Sequence, residues 1–424
     1  MKRIALISEH ASPLAGLGGV DGGGQNVYVG QLARHLGGKG YEVDVFTRRD
    51  APGLPEVVEW GEGVRIVHVP AGPPARVRKE ELLPMMGAFT EFFLWYCRRE
   101  GLYDLVHANF FMSGLVAADA RRVLGTPFVV TFHALGRVRR LFQKEADAFP
   151  DERLAIEERI VAEAEAIIAE CPQDREDLRT LYGADPARIR VIPCGFDPEE
   201  FGPVDRQEAR AALGLGRADR IILQLGRMVP RKGVDNVIRA LSRLRYDHGL
   251  SARLLVVGGE SREPDPAATP EIGRLRAVAE AKGVADAVTF MGSRGRRELR
   301  TYYGAADVFV TTPWYEPFGI TPIEAMACGT PVIGSAVGGI KSTVVDEETG
   351  YLVPPWDPIA LADRLARLWR QPQLLHDFGR NARRRVRSLF SWRRVADMVA
   401  DLYETGVRGQ GSGVSDRLAL VSSP

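Results

Sequence analysis

The chain is poor in cysteine. Four cysteines in 424 residues, Cys97, Cys171, Cys194 and Cys328, form no C-x-x-C pair. Such scattered residues read as reduced, buried thiols of a cytosolic protein rather than as a redox or metal motif. An excess of charge is also missing. Fifty-six basic side chains meet 55 acidic ones, so a formal charge of +1 provides no global field for nucleic acid or a membrane surface. No run approaches the roughly 18 apolar residues of a membrane span. MKRIALIS meets Glu9 and His10 too early to form the core of a signal peptide. Two nucleotide fingerprints fail in the first glycine cluster, GLGGVDGGGQN (16–26). G-x-G-x-x-G is broken by Asp21 and Val27, and G-x-x-x-x-G-K-[ST] does not occur. A nicotinamide dehydrogenase and a P-loop enzyme are therefore disfavoured.

What is present is an alternation. Short runs rich in Val, Ile and Leu recur at 3–8, 43–48, 64–69, 105–108, 127–132, 166–170 and 189–193, with helical pattern between them where it is clearest, at about 25–37. Near-continuous apolar strands of this kind are those buried on both faces of a parallel sheet. CGFDPEEFGPVD (194–205) reads as a linker. The pattern then restarts at 221–226, 253–259, 288–292, 308–312, 331–335 and 350–354, with helices from about 234, 271–282, 296–304 and 321–327. The expectation is α/β: two doubly wound domains, 1–198 and 199–387, with a ligand cleft between them. A last helix at about 388–408, containing SWRRVADMVADLYET, is expected to rejoin the first domain. The Gly/Ser-rich residues 409–424 read as a loose tail.

Three strand–helix junctions carry chemistry. The glycines at 16–26 let a backbone approach a ligand closely, at a helix N-terminus that favours anions. LGRMVPRKG (225–233) concentrates Arg227, Arg231 and Lys232, a guanidinium fork and an ammonium suited to phosphate. YEPFGITPIEA (315–325) places Glu316 and Glu324 either side of a Pro-Phe-Gly turn. Thr321-Pro322-Ile323-Glu324 has the form of a capping box, which by itself explains Glu324. Glu316 has no such explanation. At the carboxyl end of a strand it is placed to accept hydrogen bonds from a polyhydroxylated ligand.

Together these motifs resemble glycosyltransferase family 4, retaining enzymes with two facing Rossmann-like domains, the GT-B fold. The likeness spans about residues 2–400. It is strongest over GAADVFVTTPWYEPFGITPIEAMACGTPVIGSAVGGIKSTVVDEETGYLVPP (304–355), where Glu316 and Glu324 match the family's E-x7-E element. LGRMVPRKG matches its diphosphate loop. TFHALGRVRR (131–140) and HANFFMSG (107–114) are similar to the branch of sucrose-phosphate synthases, mannosylfructose-phosphate synthases and inositol-phosphate N-acetylglucosaminyltransferases.

The resemblance implies catalytic roles for His133, Arg227, Lys232 and Glu316. Arg227 and Lys232 would neutralise the diphosphate, and His133 would sit at the donor sugar. Donor contacts would come from Gly23, Gly24, Met291, Gly292, Phe318, Gly319, Ile320 and Thr321, with Glu324 on the ribose. An anionic acceptor would meet Gln25, Arg76, Arg78, Lys79, Asn109, Arg137 and Lys144. The chain has no D-x-D pair, the metal–diphosphate clamp of the other large glycosyltransferase fold. The expectation is thus metal- and cofactor-free transfer of a hexose from a UDP-glucose- or GDP-mannose-type donor. The acceptor would be a phosphorylated sugar such as fructose 6-phosphate, with an inositol phosphate or a non-phosphorylated acceptor as alternatives. An epimerase, a phosphorylase and a non-catalytic nucleotide-sugar binder share the cleft architecture. The presence of His133 and Glu316 together favours catalysis over binding alone.

Overall fold

The computed structural model describes residues 2–14 and 23–406. Residues 16–22 of the first glycine cluster and the expected tail at 409–424 therefore lie outside the described residues.

The apolar runs pair into two sheets. The first contains β1 (Arg3–Ile7), β2 (Glu42–Arg48), β3 (Val57–Gly61), β4 (Val64–Val69), β5 (Leu105–Asn109), β6 (Phe128–Thr131), β7 (Ala166–Ala169) and β8 (Ile189–Val191). Their order is β3-β4-β2-β1-β5-β6-β7-β8. All neighbours are parallel except β3, which pairs antiparallel with β4 at the edge. The second sheet contains β9 (Ile221–Leu225), β10 (Arg253–Val257), β11 (Val288–Gly292), β12 (Val308–Thr311), β13 (Val332–Ser335) and β14 (Gly350–Val353), in the wholly parallel order β11-β10-β9-β12-β13-β14.

Parallel strands need crossovers, and the helices that supply them bury both sheet faces. Ile4, Ala5, Leu6 and Ile7 of β1 are fully buried. Each of the Ile and Leu side chains contributes about 1.5–3 kcal/mol. β3 has no counterpart in the sequence reading. Its VVEWG is a half-exposed edge strand, so it lacks the unbroken apolar run of the buried strands.

The strand order reverses between β1 and β5 in one sheet and between β9 and β12 in the other. Crevices form outside the carboxyl ends of strands at such reversals. The chain ends with helices Pro372–Leu389 and Trp392–Gly406. The second returns to the first sheet's layer: Trp392 packs edge-on against Tyr28, Tyr403 Oη lies 2.7 Å from His107 Nδ1, and Glu404 pairs with Lys2 at 2.6 Å. The 194–205 segment is irregular in its middle and is pinned to the second domain, where Arg300 donates to the carbonyls of Gly202 and Pro203 at 3.0 and 2.8 Å.

Candidate active site

A cleft with about 1620 Å³ of open space lies between the two sheets, lined from both. Two helix N-termini point into it. The helix Gly24–Gly37 begins at Gly23, and the helix Ile320–Ala327 begins at Gly319. Neither receives a cap from a preceding side-chain oxygen, because both N-cap residues are glycine. First-turn N–H groups then remain available to an anion, beside the positive ends of two helix dipoles. The two ends come close together: a Cβ on Gly24 would stand 3.4 Å from Ile320 Cδ1.

This geometry corrects the capping-box reading. Gly319, with φ +92°, is the N-cap, so Thr321 is already the second helical residue and Pro322 the third. Proline is tolerated there because first-turn N–H groups have no intrahelical partner. Glu324 does not reach back to the backbone. It is 2% exposed and accepts from Arg296 Nη1 at 2.9 Å and Tyr303 Oη at 3.0 Å. Burial raises its carboxyl above the usual range, and Arg296 and the hydrogen bonds offset this only in part.

Glu316 and Lys232 form an ion pair inside the cleft, with Arg231 Nη1 4.0 Å from the same carboxylate oxygen. Burial is the largest influence on Lys232. Together with Arg231 and Arg227 it pushes the ammonium down to about 8, against the opposing pull of Glu316. Glu316 goes the other way. Burial alone would raise it, but Lys232 and Arg231 outweigh burial and hold it below the ordinary carboxylate range.

The loop bearing Glu316 is propped from beneath by Gly338 and Gly339. Gly339 N–H donates to the Glu316 carbonyl at 3.1 Å. A Cβ on Gly338 would fall 1.8 Å from that carbonyl oxygen, and one on Gly339 would fall 2.4 Å from the Phe318 backbone. Gly338 also has φ +44°. Gly338→Ala should therefore displace the loop at a cost of about 1–3 kcal/mol. Calorimetry should show a lower Tm, and steady-state kinetics a higher donor KM.

His133 has φ +58°, a conformation uncommon for a non-glycine residue. Its Nδ1 faces Glu170 Oε1 at 3.0 Å and its Nε2 faces Asn109 Oδ1 at 3.1 Å. Both ring nitrogens are engaged, so the ring is fixed in orientation. Behind it, burial would raise Glu170, but the charge of His133 and hydrogen bonds from His133 and Cys194 hold that carboxyl below its ordinary range.

The structure brings together at the cleft Gly23, Gly24, Gln25, Lys79, His133, Arg227, Lys232, Glu316, Phe318, Gly319, Ile320, Thr321 and Glu324. Met291 and Gly292 end β11 just before Ser293 and Arg294, which line the cleft in their place. Asn109 is fully buried behind His133 and also donates to the carbonyls of Ile7 and His107. With Asn109, five expected acceptor residues lie outside the lining. Arg76 and Arg78 are exposed, and Lys144 is exposed at the end of its helix with φ +50°. Arg137 is drawn away by Glu158 and the Leu181 carbonyl. Sequence proximity to His133 did not reveal which face of that helix each arginine occupies: Arg139, two residues on, lines the cleft.

The residues missed by the sequence reading are Arg139, Arg153 and Arg296. Arg296 spans Glu324 and Glu200, and its Nη2 is buried without a hydrogen-bond partner. Arg153 is 1% exposed, is paired with Glu157 at 2.7 Å, and is ringed by Phe110, Phe111 and Phe149 at 4.6–4.9 Å. Its Nη1 also has no partner. A lone arginine in a helical pattern gives no signal of burial.

Residues 22–200 match the family described as Glycosyltransferase Family 4, and residues 205–385 match Glycosyl transferases group 1. A D-inositol 3-phosphate glycosyltransferase of Actinosynnema mirum is 40% identical over 95% of this chain and 97% of its own. The solved sucrose-phosphate synthase of Thermosynechococcus elongatus is 38% identical, with a TM-score of 0.88 over 95% of this chain and 98% of that one. Anabaena Alr3699/HepE, solved with UDP and glucose, is 19% identical with a TM-score of 0.73 over 95% of this chain and 100% of its own, a likeness of fold. With these relatives matched along nearly its whole length, the chain belongs to glycosyltransferase family 4 and is a glycosyltransferase of the GT-B fold.

Proposed function

We propose that the enzyme transfers a hexose, with retention, from a nucleoside-diphosphate sugar to a small phosphorylated polyol. One observation carries this reading: a single cleft holds two groups of cations, one from each domain. Arg227 and Lys232 stand by the two open helix N-termini, while Lys79 and Arg139 enter from the first domain, with buried Arg153 behind Phe110 and Ala134. The first group suits the donor diphosphate and the second an acceptor phosphate.

In the reaction, the bond between the sugar's anomeric carbon and the diphosphate oxygen breaks. The acceptor hydroxyl oxygen bonds to the same carbon on the same face. The hydroxyl proton passes to the departing phosphate oxygen. No side-chain base is needed, in keeping with a His133 ring held between Glu170 and Asn109 and a Glu316 held by Lys232. Negative charge grows on the diphosphate, where Arg227, Lys232 and the helix N-termini are fixed before the reaction starts. Glu316 receives sugar hydroxyls, Glu324 the ribose, and Gly23 and Gly24 lie against the diphosphate.

Two of the relatives named above carry the names D-inositol 3-phosphate glycosyltransferase and sucrose-phosphate synthase, so the acceptor assay starts with D-inositol 3-phosphate and fructose 6-phosphate. UDP-glucose, UDP-N-acetylglucosamine and GDP-mannose are crossed with both acceptors and with their dephosphorylated forms, in EDTA, and products are identified by mass. A phosphorylated product with release of nucleoside diphosphate is expected. Transfer only to dephosphorylated acceptors would refute the acceptor assignment, and activity that requires Mg²⁺ or Mn²⁺ would refute the metal-free mechanism.

The pH dependence has a definite sign. Lys232 in the free enzyme loses its proton near pH 8. Donor kcat/KM should therefore fall as pH rises through about 8, whereas kcat holds to higher pH because bound diphosphate keeps the ammonium charged. Between about 8 and 10.5 the unfolded chain binds this proton more tightly than the folded one. The group's contribution to stability then rises with pH, opposite to the trend in activity. A pH profile of Lys232→Arg should move the limb upward.

A further inference from the structure

The helix Gly136–Gln143 belongs to the first domain, but its last turn touches the second. Its start is fixed: the Gly136 N–H donates to both oxygens of buried Glu157, at 2.9 and 3.1 Å, and the Arg137 N–H donates to Tyr182 Oη at 2.9 Å. Its end carries two apolar side chains turned outward, Leu141 and Phe142. Phe142 stacks on Tyr315 with ring centroids 5.3 Å apart and planes at 22°. Gln143 Nε2 donates to Tyr315 Oη.

Tyr315 directly precedes Glu316 and is only 5% exposed, although it sits on a loop at the mouth of a cleft. The Arg231 guanidinium lies 5.1 Å from its ring centroid, and Arg231 Nη1 donates to its carbonyl at 3.4 Å. The ring is thus held by a cation of its own domain and an aromatic side chain of the other. Arg139, on the same helix, lines the cleft and is anchored by Asp147 at 2.8 Å.

We propose that Phe142, Gln143 and Tyr315 form an inter-domain latch that positions the Glu316 loop for transfer. The helix that bears Arg139 on the acceptor side reaches across to the residue next to Glu316 on the donor side. An occupant at Arg139 stabilises the helix, the helix holds Tyr315, and Tyr315 with Arg231 keeps Glu316 and Lys232 in register. The latch ties the acceptor-side helix to the donor-side loop, which favours transfer to the acceptor over loss of the donor sugar to water. A second polar contact crosses the cleft, from Lys341 Nζ to Gln173 Oε1 at 3.0 Å, but it is exposed and touches none of these groups. The kinetic part of this proposal rests on the transferase reading above; the latch itself does not.

The test has two arms. All four native cysteines are buried, so spin labels can be directed to Glu91→Cys and Lys282→Cys, exposed positions on the two domains. The distance between the labels is measured in the full-length protein, without ligand and with UDP. The parent should give one narrow distribution. Phe142→Ala/Gln143→Ala should give a broader, longer one, with little change in Tm because Phe142 is partly exposed. Identical distributions would overturn the latch whatever the activity.

In the second arm, Phe142→Ala should lower kcat/KM about tenfold, the order of one aromatic pair. The loss should fall on kcat and acceptor KM, with donor hydrolysis rising relative to transfer, and Phe142→Tyr should restore the parent values. A merely structural residue would move Tm and both KM values together, and that pattern would also overturn the proposal. If no donor and acceptor pair turns over while the two distance distributions differ, the transferase reading fails and the latch stands.

Discussion

Lys232→Ala is expected to lower kcat by roughly 10²–10³, the usual cost of removing one preorganised contact to a developing negative charge. The ammonium enters the cleft from the 3₁₀ turn Pro230–Lys232 that follows β9 and is held by Glu316. In the proposed reaction its contact with the diphosphate strengthens as the sugar–oxygen bond breaks, so the loss belongs in kcat more than in donor KM. The structure adds a second consequence. Without Lys232, Glu316 remains buried beside Arg231 at 4.0 Å as its nearest cation, so its carboxyl should rise from the depressed range it now occupies. Steady-state kinetics at pH 7, on the protonated side of the Lys232 transition, is the measurement. A variant with parental kcat and a raised donor KM would show that the lysine binds the ground state and transition state equally.

Glu324→Gln should behave differently. The ribose does not change during the reaction, so losing the charge on this carboxylate should raise donor KM by about 10–100-fold, the value of a charge-assisted hydrogen bond of about 1.5–3 kcal/mol, and leave kcat nearly unchanged. Because Glu324 holds Arg296 and Tyr303 rather than a helix cap, the structural cost also differs from that of a cap. Glu324→Ala leaves the Arg296 guanidinium buried with Glu200 as its remaining carboxylate. Removing one partner of a buried pair costs about 3–5 kcal/mol, against about 0.5–2 for a lost cap. Thermal midpoints of both variants, measured beside donor KM, separate the two roles. Equal, small losses of Tm in the Gln and Ala variants would mean that the Arg296 pair adds nothing to stability.

Most strands were legible because buried parallel strands write an unbroken apolar run into the chain, as in RIALIS and IILQLG. The basic loop that lines the cleft was legible because Arg227 and Lys232 stand on the few residues between a strand and a helix, where local sequence and position in space coincide. Arg139 was not, since the choice between it and Arg137 depends on which side of one short helix faces the cleft. Arg153 and Arg296 were hidden for a related reason. Their burial is produced by Phe110, Phe149, Phe201 and Glu200, residues distant in the chain that assemble only in the folded state.

By itself the sequence determined the class, the two-domain alternation and the strand–helix loops that line the cleft, since all three follow from local hydrophobic periodicity and short-range turn residues. The tertiary structure alone decided which groups Glu324 meets. A Thr-Pro-Ile-Glu sequence satisfies the local rule for a cap, but Gly338 and Gly339 press up beneath residues 316–318, and the helix begins at Gly319 before Thr321 can act. That shift in the helix start leaves Glu324 to Arg296 and Tyr303. It is set by packing between β13's loop and β12's loop, which no local window of sequence contains.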